Sequence, residues 1–432
     1  MTPTARVQDA VALMDQILVS PKPADGVVLA FFRGRKFVGA KDRRAISDQA
    51  WRIQRHRARL MWMLGAGEPN ARLLVMADLI ANEGFTVDRL SGLFSGARFG
   101  PSPLTSNERR MAQRVADQAG RADIPRAVKL EVPHWLLPKL DEAFGATTDA
   151  EVAALGAEAA LDLRVNTLKA ERESVLNQLA EEGHAPEVTL LSPHGLRVRS
   201  RMNLGGHKGF RAGLFEVQDE ASQICAMLVD ARPGHAVLDL CAGAGGKTLA
   251  IAAQMQNKGR IVACDVATGR LIRSKQRLRR AGVHNATLRI LEGDHDKWLK
   301  RQKSVFDRVL VDAPCSGVGS WRRNPDHRWR LTPEDLVNLA AVQTRVLDQA
   351  APLVKPGGRL IYATCSLLPE ENEGRVREFL ARAPQFKPVP WKSVWATAVK
   401  TPAPNVESDF LTLTPHRNRC DGFFVAILER VS

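Results

Sequence analysis

The chain has 432 residues, with 62 Lys and Arg against 47 Asp and Glu, a formal net charge of +15 at pH 7, and 44% hydrophobic and 25% charged residues. That length exceeds what a single hydrophobic core usually serves, so two or three domains are expected. The mix is that of a globular protein, and no apolar run approaches the ~18 residues of a membrane-spanning helix, which excludes a membrane span. Asp9 and Asp15 interrupt the stretch where a secretory h-region would lie, so the expected location is the cytoplasm.

In chain order, the first predicted domain covers residues 1–128 and is helical. Val7, Val11, Met14, Ile17 and Leu18 recur at i, i+3 and i+4 spacing, and the stretches 45–64 and 71–81 repeat the habit. Residues 129–212 read as a small α+β module and linker. It has short β-like runs at Leu161–Val165, Val188–Leu191 and Gly195–Val198, one helical run at Glu171–Glu181, and a glycine-rich joint at Gly205–Gly213. From 213 to 432 the rhythm becomes strand and helix in alternation. Strands are predicted at Ala236–Cys241, Arg260–Asp265, Ala286–Leu291, Arg308–Asp312 and Arg359–Thr364, separated by helices at 247–256, 268–281, 333–350 and 370–382. Such alternation predicts an α/β domain with a parallel sheet covered by helices on both faces, and ligands in such folds sit beyond the carboxyl ends of the strands. Phe410–Leu413 and Gly422–Leu428 read as two strands closing the sheet antiparallel.

Charge points to a polyanion. The sequence pI is about 9.9, and residues 270–303 hold 11 Lys and Arg against 3 Asp and Glu. Arg322, Arg323, Arg328 and Arg330 follow, interleaved with Trp321 and Trp329. Basic side chains neutralise phosphates, and aromatic or guanidinium planes stack on unpaired bases, so RNA is the expected partner.

The first strand of the alternation ends in Asp239-Leu-Cys-Ala-Gly-Ala-Gly-Gly-Lys247-Thr248. A phosphate-binding P-loop requires glycine where Cys241 stands. A nucleoside-cofactor loop requires close backbone approach, here offered by Cys241, Ala242, Gly243, Ala244, Gly245 and Gly246, and an acid ending the next strand to receive ribose hydroxyls. Asp265 stands 19 residues after Gly246, near the spacing of about 20 such loops show. Asp294 and Asp312 follow the third and fourth strands, so three aspartates are expected to converge on one crevice.

All six cysteines lie in the second half without a Cys-x-x-Cys pair, which fits neither a zinc site nor a disulfide framework, so no metal is expected. Cys225, Cys241 and Cys264 read as inert buried residues, whereas Cys315 and Cys365 sit at strand ends. A thiolate beside a basic cleft there has a lowered pKa and acts as a nucleophile.

The motifs Asp-Ala-Pro-Cys-Ser-Gly (312–317), Arg-Arg-Asn-Pro-Asp (322–326), Ala-Thr-Cys-Ser (363–366) and Phe-Glu-Val-Gln-Asp-Glu-Ala-Ser (215–222) together resemble the S-adenosylmethionine-dependent RNA cytosine-5 methyltransferases of the RsmB/NOP (NSUN) family. The likeness is nearest to the bacterial Sun/RsmB type acting on 16S rRNA. It is specific from about residue 160 onward. Upstream, Gly39-Ala-Lys-Asp-Arg-Arg44 and Pro133-His-Trp-Leu136 are similar to that subgroup's NusB-like helical domain.

The resemblance implies a Rossmann-like class I methyltransferase domain after an all-α NusB-like domain and a small α+β module, acting as a monomer. It implies that Cys365 attacks the base, that Cys315 assists release, and that Asp312 and Lys247 help catalysis. It also places residues 241–247, Asp265, Arg270, Asp294 and Asp312 around S-adenosylmethionine and the base. The family commonly has proline where this chain has Ala244, which leaves the loop less rigid. Carbon 5 of cytosine is a poor nucleophile, so a thiolate adds to carbon 6 first, and a base then removes the carbon 5 proton before the thiolate departs. The alternatives are a tRNA cytosine-5 methyltransferase, a P-loop nucleotidase, and a non-catalytic RNA-assembly factor, which has no need of Cys315 and Cys365.

Overall fold

The structure, a computed structural model, describes residues 1–432 except Ala66, Pro69, Arg201, Asp294, His295 and Ser432. The chain divides into two units, Met1–Gly156 with Trp321–Leu331, and Ala157–Ser320 with Thr332–Ser432. The expected boundary at residue 128 falls within the first unit.

The first unit is helical. Its helices begin where the sequence supplies caps: Thr2 accepts from Ala5 N ahead of Pro3–Val19, Asn70 caps Ala71–Ala81, and Thr105 with Glu108 forms a reciprocal capping box on Ser106–Gln118. The apolar stripe of the first helix, Val7, Val11, Met14 and Ile17, is buried in a core shared with Ile46, Ile53, Leu74 and Val115. The helix expected at 45–64 is two helices, Ala40–Arg55 and Arg57–Leu64, broken at His56. The break has a partner: the buried Glu131 carboxylate accepts from Ala58 N at 2.8 Å and Arg59 N at 3.2 Å, capping the second helix.

The segment 321–331 belongs to this helical unit and corrects the reading of it as an RNA-stacking stretch. Trp321 and Arg328 are fully buried. Arg328 donates from Nη1 to the Glu131 carbonyl at 3.1 Å and from Nη2 to the Leu155 carbonyl at 3.4 Å, and its guanidinium lies 4.9 Å from the Trp321 ring centroid. Trp329 Nε1 donates to the Gln54 carbonyl at 2.7 Å, and Asp326 accepts from Ala24 N at 3.0 Å. These aromatic and guanidinium planes are engaged in packing and backbone capture, so they do not form a stacking platform for bases.

The second unit carries two sheets. In the smaller, β1 (Leu161–Val165), β2 (Glu187–Val188), β3 (Gly195–Val198) and β4 (Phe215–Val217) run antiparallel in the order β2-β3-β1-β4. The helix Arg172–Glu181 packs Val175 and Leu179 against Leu163, Val165, Leu196 and Phe215. Strand β4, beyond the expected end of the module, completes this sheet, and the predicted glycine-rich joint contains a short helix, Lys208–Ala212.

The larger sheet comprises β5 (Ala236–Asp239), β6 (Arg260–Asp265), β7 (Ala286–Ile290), β8 (Phe306–Asp312), β9 (Val354–Thr364), β10 (Phe386–Val389), β11 (Leu411–Leu413) and β12 (Phe423–Arg430). Its order is β10-β12-β9-β8-β5-β6-β7, with β11 on β12. Strands β5 to β9 pair in parallel, and β10, β11 and β12 pair antiparallel. From β5 the chain builds outward through β6 and β7, then crosses to β8 on the other side. The carboxyl ends of β5 and β8 therefore flank a topological switch point, where α/β sheets open a ligand crevice.

The 215–222 motif joins the two sheets. Glu216 is buried and pairs with Arg277 and Arg280. Glu220 is buried and accepts from Leu191 N and Ser192 N, 3.5 Å from Arg197, which itself forks onto Asp162. Gly213 is in the left-handed region at φ +76°, and a Cβ there would lie 2.1 Å from the Arg280 carbonyl oxygen, so only glycine fits.

Arg328→Ala is expected to destabilise the protein by about 3 kcal/mol, because it strips two buried carbonyls of a donor and leaves a cavity beside Trp321. Urea unfolding of the full chain reads this directly, and a change below about 0.5 kcal/mol, the scale of a neutral surface substitution, would show that Arg328 is not a core residue.

Candidate active site

The loop after β5 is held from several directions. Gly243 and Gly245 adopt φ +55° and +78°, and a Cβ at Gly245 would meet the Ser274 Cβ at 2.8 Å. Asp265, at the end of β6, accepts from Gly243 N at 2.8 Å through Oδ2 and from Ala267 N at 2.7 Å through Oδ1. Ala242 N donates to the Cys264 carbonyl at 2.8 Å. Arg277 Nη1 donates to the Ala244 carbonyl at 2.9 Å, a tether at the position where the resembling family has proline. Arg277 and Arg280, expected to face RNA, are instead committed to Glu216, and Arg277 also to this loop, because a buried carboxylate requires cationic partners.

These residues fit a nucleoside cofactor. Nothing lies within 4 Å of the place a Gly243 Cβ would take, so ligand can approach the backbone there. Asp239, fully buried at the end of β5, accepts from Thr248 Oγ1 through Oδ2 at 2.6 Å, while its Oδ1 is buried and has no hydrogen-bond partner among the described residues. Burial pushes the Cys241 thiol up, which leaves it unreactive beside the loop. Arg270 is exposed on the first turn of the helix Thr268–Ala281 and, among the described residues, makes no side-chain hydrogen bond to the loop. Asp294 lies outside the described residues.

Lys247, in the first turn of the helix Gly246–Gln254, donates from Nζ to Asp312 Oδ2 at 2.6 Å and lies 4.8 Å from the Phe423 ring centroid. Burial opposes its charge, but the Asp312 carboxylate more than offsets this and holds the Lys247 pKa above its ordinary value. A P-loop lysine must reach phosphates, whereas this one is locked to an acid.

Parallel pairing of β8 with β9 sets Asp312 opposite Ala363 and extends by a bond from Ala313 N to the Ala363 carbonyl at 2.8 Å. The chains leaving these two strands bring Cys315 Sγ and Cys365 Sγ to 3.4 Å, with both side chains partly exposed. Contrary to the lowered pKa expected of a strand-end thiol, Cys315 is pushed well above the usual thiol range, first by its hydrogen bond to Cys365, then by burial and by negative charge on Cys365 and Glu371. Either sulfur can be the donor in this contact, so one thiol can hold the other's thiolate.

Two glycines outside the predicted set keep this pair in place. Gly319 N donates to the Cys365 carbonyl at 2.9 Å, and Gly422 N donates to the Gly319 carbonyl at 2.8 Å. A Cβ at Gly319 would lie 2.2 Å from the Gly422 carbonyl oxygen. Their pairing is a long-range contact that sequence spacing does not reveal.

Elsewhere, ligand atoms of Glu182, His184 and His207 lie within 4.8 Å of one another. His207 Nδ1 accepts from Phe210 N at 3.3 Å, which puts the ring proton on Nε2, 2.5 Å from Glu182 Oε2. Both ring nitrogens are thereby used in hydrogen bonds, and the cluster is a helix cap with its supporting acid.

Comparisons with known proteins bear on the family and the fold. The family described as 16S rRNA methyltransferase RsmB/F matches residues 226–429, and the ferredoxin-like domain of RsmF/B-like methyltransferases matches residues 132–205. A probable ribosomal RNA small subunit methyltransferase B of Synechocystis is 34% identical over 82% of this chain and 79% of its own length. The chain belongs to the RsmB/F methyltransferase family. A ribosomal RNA small subunit methyltransferase B of Citrobacter koseri is 36% identical over 68% of this chain and 66% of its own. The crystal structure of PH0851 superposes with a TM-score of 0.78 at 28% identity, covering 99% of each chain.

This RsmB/F member carries a pH-sensitive acid beneath its loop. Burial pushes Asp239 up to about 7 from its ordinary 3.8, the charges of Asp312 and Asp265 adding to the rise while Thr248 and Lys247 oppose it. The folded chain therefore retains, between about pH 4 and 7, a proton the unfolded chain has released. Stability falls as pH rises through that window, with the loss complete above it. Asp239→Asn removes the ionisation, so its stability relative to wild type should rise by about 3 to 4 kcal/mol between pH 4 and pH 7.5. Urea unfolding of both proteins across that range checks this, and a flat difference would show Asp239 ionising as an ordinary carboxylate.

Proposed function

We propose that this enzyme methylates carbon 5 of a cytosine in 16S rRNA through a covalent Cys365–cytosine intermediate, with S-adenosylmethionine as methyl donor. The observation that carries the reading is the contact at 3.4 Å between the Cys315 and Cys365 sulfurs. Two thiols in contact at neighbouring strand ends divide the two tasks the chemistry imposes, attack on carbon 6 and release of the product.

When bound, S-adenosylmethionine supplies a methyl group on a positively charged sulfonium. The 241–247 backbone holds it, and Asp265, with each oxygen already fixed by a backbone amide, offers its remaining lone pairs to ribose hydroxyls. Cys365 Sγ adds to carbon 6 of the cytosine, which makes carbon 5 electron-rich. Lys247 occupies Asp312 Oδ2, so Asp312 Oδ1 is left to accept from the exocyclic amine and orient the ring, while the Lys247 charge beside it offsets the negative charge that develops on the base. Once Cys365 is bonded to carbon 6 and no longer accepts from Cys315, the Cys315 proton passes to water. After methyl transfer the Cys315 thiolate takes the carbon 5 proton, the carbon 5–hydrogen pair forms the ring double bond, and the carbon 6–sulfur pair returns to Cys365.

The RNA approaches a basic face. Arg270, Arg273, Lys275 and Arg279 are exposed on the helix Thr268–Ala281, and Lys297, Lys300, Arg301 and Lys303 are exposed further along the chain. The names of the relatives support ribosomal RNA as the substrate. A single-stranded or loop cytosine reaches the cysteines at the least unstacking cost.

The two cysteine variants should differ in kind. Cys365→Ala is expected to form neither 5-methylcytosine nor an RNA adduct. Cys315→Ala is expected to accumulate a denaturation-resistant protein–RNA complex, because attack and transfer proceed while release fails. Incubation of each with S-adenosylmethionine and 16S rRNA, followed by a denaturing gel, separates the cases. An adduct from Cys365→Ala and none from Cys315→Ala would reverse the roles.

A further inference from the structure

Glu371, in the turn Pro369–Glu371 after the Cys365 loop, is fully buried and takes no part in the chemistry above. Its carboxylate gathers donors from both cysteine loops. Oε1 accepts from Ser316 N at 2.9 Å and Gln343 Nε2 at 3.0 Å, and Oε2 accepts from the hydroxyls of Ser316 and Ser366. Ser316 and Ser366 are the residues immediately after Cys315 and Cys365. Gln343 Nε2 also donates to the carbonyl of Pro314, the residue immediately before Cys315, at 3.0 Å. The Glu371 backbone carbonyl is fixed by Tyr362 OH at 2.7 Å. Asn372 extends the arrangement: it accepts from Thr364 Oγ1 at 2.5 Å and donates to the Ser366 carbonyl at 3.0 Å.

A buried carboxylate only accepts hydrogen bonds, and desolvation makes every unmet oxygen costly. It therefore forces all four donors to point at one place, and their chain segments with them. We propose that Glu371 is the positioning residue of the cysteine pair, clamping the 314–316 and 364–366 segments so that the two sulfurs stay in contact. This rests on reading Cys315 and Cys365 as the working pair. Glutamine keeps one acceptor oxygen but puts an NH2 group where Oε2 accepts from both serine hydroxyls, which must then turn round to accept, and it removes the charge that gathers the donors. The sequence contained the signal in Thr-Cys-Ser-Leu-Leu-Pro-Glu-Glu-Asn, where nothing but long-range contacts distinguishes one acid from its neighbour.

The test compares wild type with Glu371→Gln by two readouts. The first is the rate at which diamide links Cys315 to Cys365, the two thiols giving up two hydrogens to the diazene to leave one disulfide and a hydrazine. This is measured by peptide mass mapping at several pH values. The second is single-turnover methyl transfer to 16S rRNA. Displacing two reacting atoms by about 1 Å costs on the order of a hundredfold, so both rates are expected to fall by about tenfold or more while S-adenosylmethionine binding is kept. Removing the Glu371 charge eases Cys315 ionisation and by itself would speed oxidation, so a slowing reports position and not acidity. Ser366→Ala, which removes one arm of the clamp, should slow both rates less and remains informative if Glu371→Gln does not fold. An unchanged disulfide rate in either folded variant overturns the clamp. A slowed disulfide rate with unchanged methyl transfer supports the clamp and overturns the catalytic reading of the pair.

Discussion

Parallel pairing between β8 and β9 is the constraint on which the site depends. It sets Asp312 opposite Ala363, and each chain then has only two residues or one before its cysteine. Within so short a reach the two loops must be steered together, and every neighbouring feature contributes to that. Gly319 and Gly422 permit backbones to touch where any side chain would push them apart. Glu371 and Asn372 draw the flanking hydroxyls, amide and carbonyl inward. The β12 strand, inserted antiparallel beside β9, brings Gly422 and Phe423 to the same rim.

Charge is distributed so that neighbouring groups do not compete. Lys247 is neutralised by Asp312 and covered by Phe423, which keeps a cation at the crevice without leaving it available to phosphate. Asp265 holds the glycine loop by its backbone amides, and Arg277 holds the same loop through Ala244 while answering the buried Glu216. The 215–222 segment thus links cofactor loop, small sheet and large sheet through buried ion pairs. Such pairs contribute little net stability, but removing one partner strands the other in the interior.

Much of this was legible in the sequence because parallel strands buried on both faces read as apolar runs of the right length, and alternation with helices identifies the fold. Arg260–Asp265 and the helices at 268–281 and 333–350 have their predicted bounds. Strand β10 escaped because Lys387 and Pro388 interrupt its apolar character, and Phe215–Val217 was noticed as a motif without its sheet. Local pattern misled where a long-range partner decides the outcome. The Trp321–Arg330 stretch has the composition of an RNA platform, yet the Glu131 and Leu155 carbonyls take up Arg328. Arg277 and Arg280 lie within a basic run, yet Glu216, about sixty residues earlier, claims them. The cysteines were legible because their residue type is rare at strand ends, whereas the acid that positions them was one carboxylate among many.

The most direct test is bisulfite sequencing of 16S rRNA from a strain lacking this protein, complemented with wild type or with Cys365→Ala. 5-Methylcytosine resists deamination and reads as cytosine, so one protected 16S position should vanish on deletion, return with the wild-type chain, and stay absent with Cys365→Ala. A 16S pattern unchanged by deletion, or protection restored by Cys365→Ala, would contradict cytosine-5 methylation through Cys365.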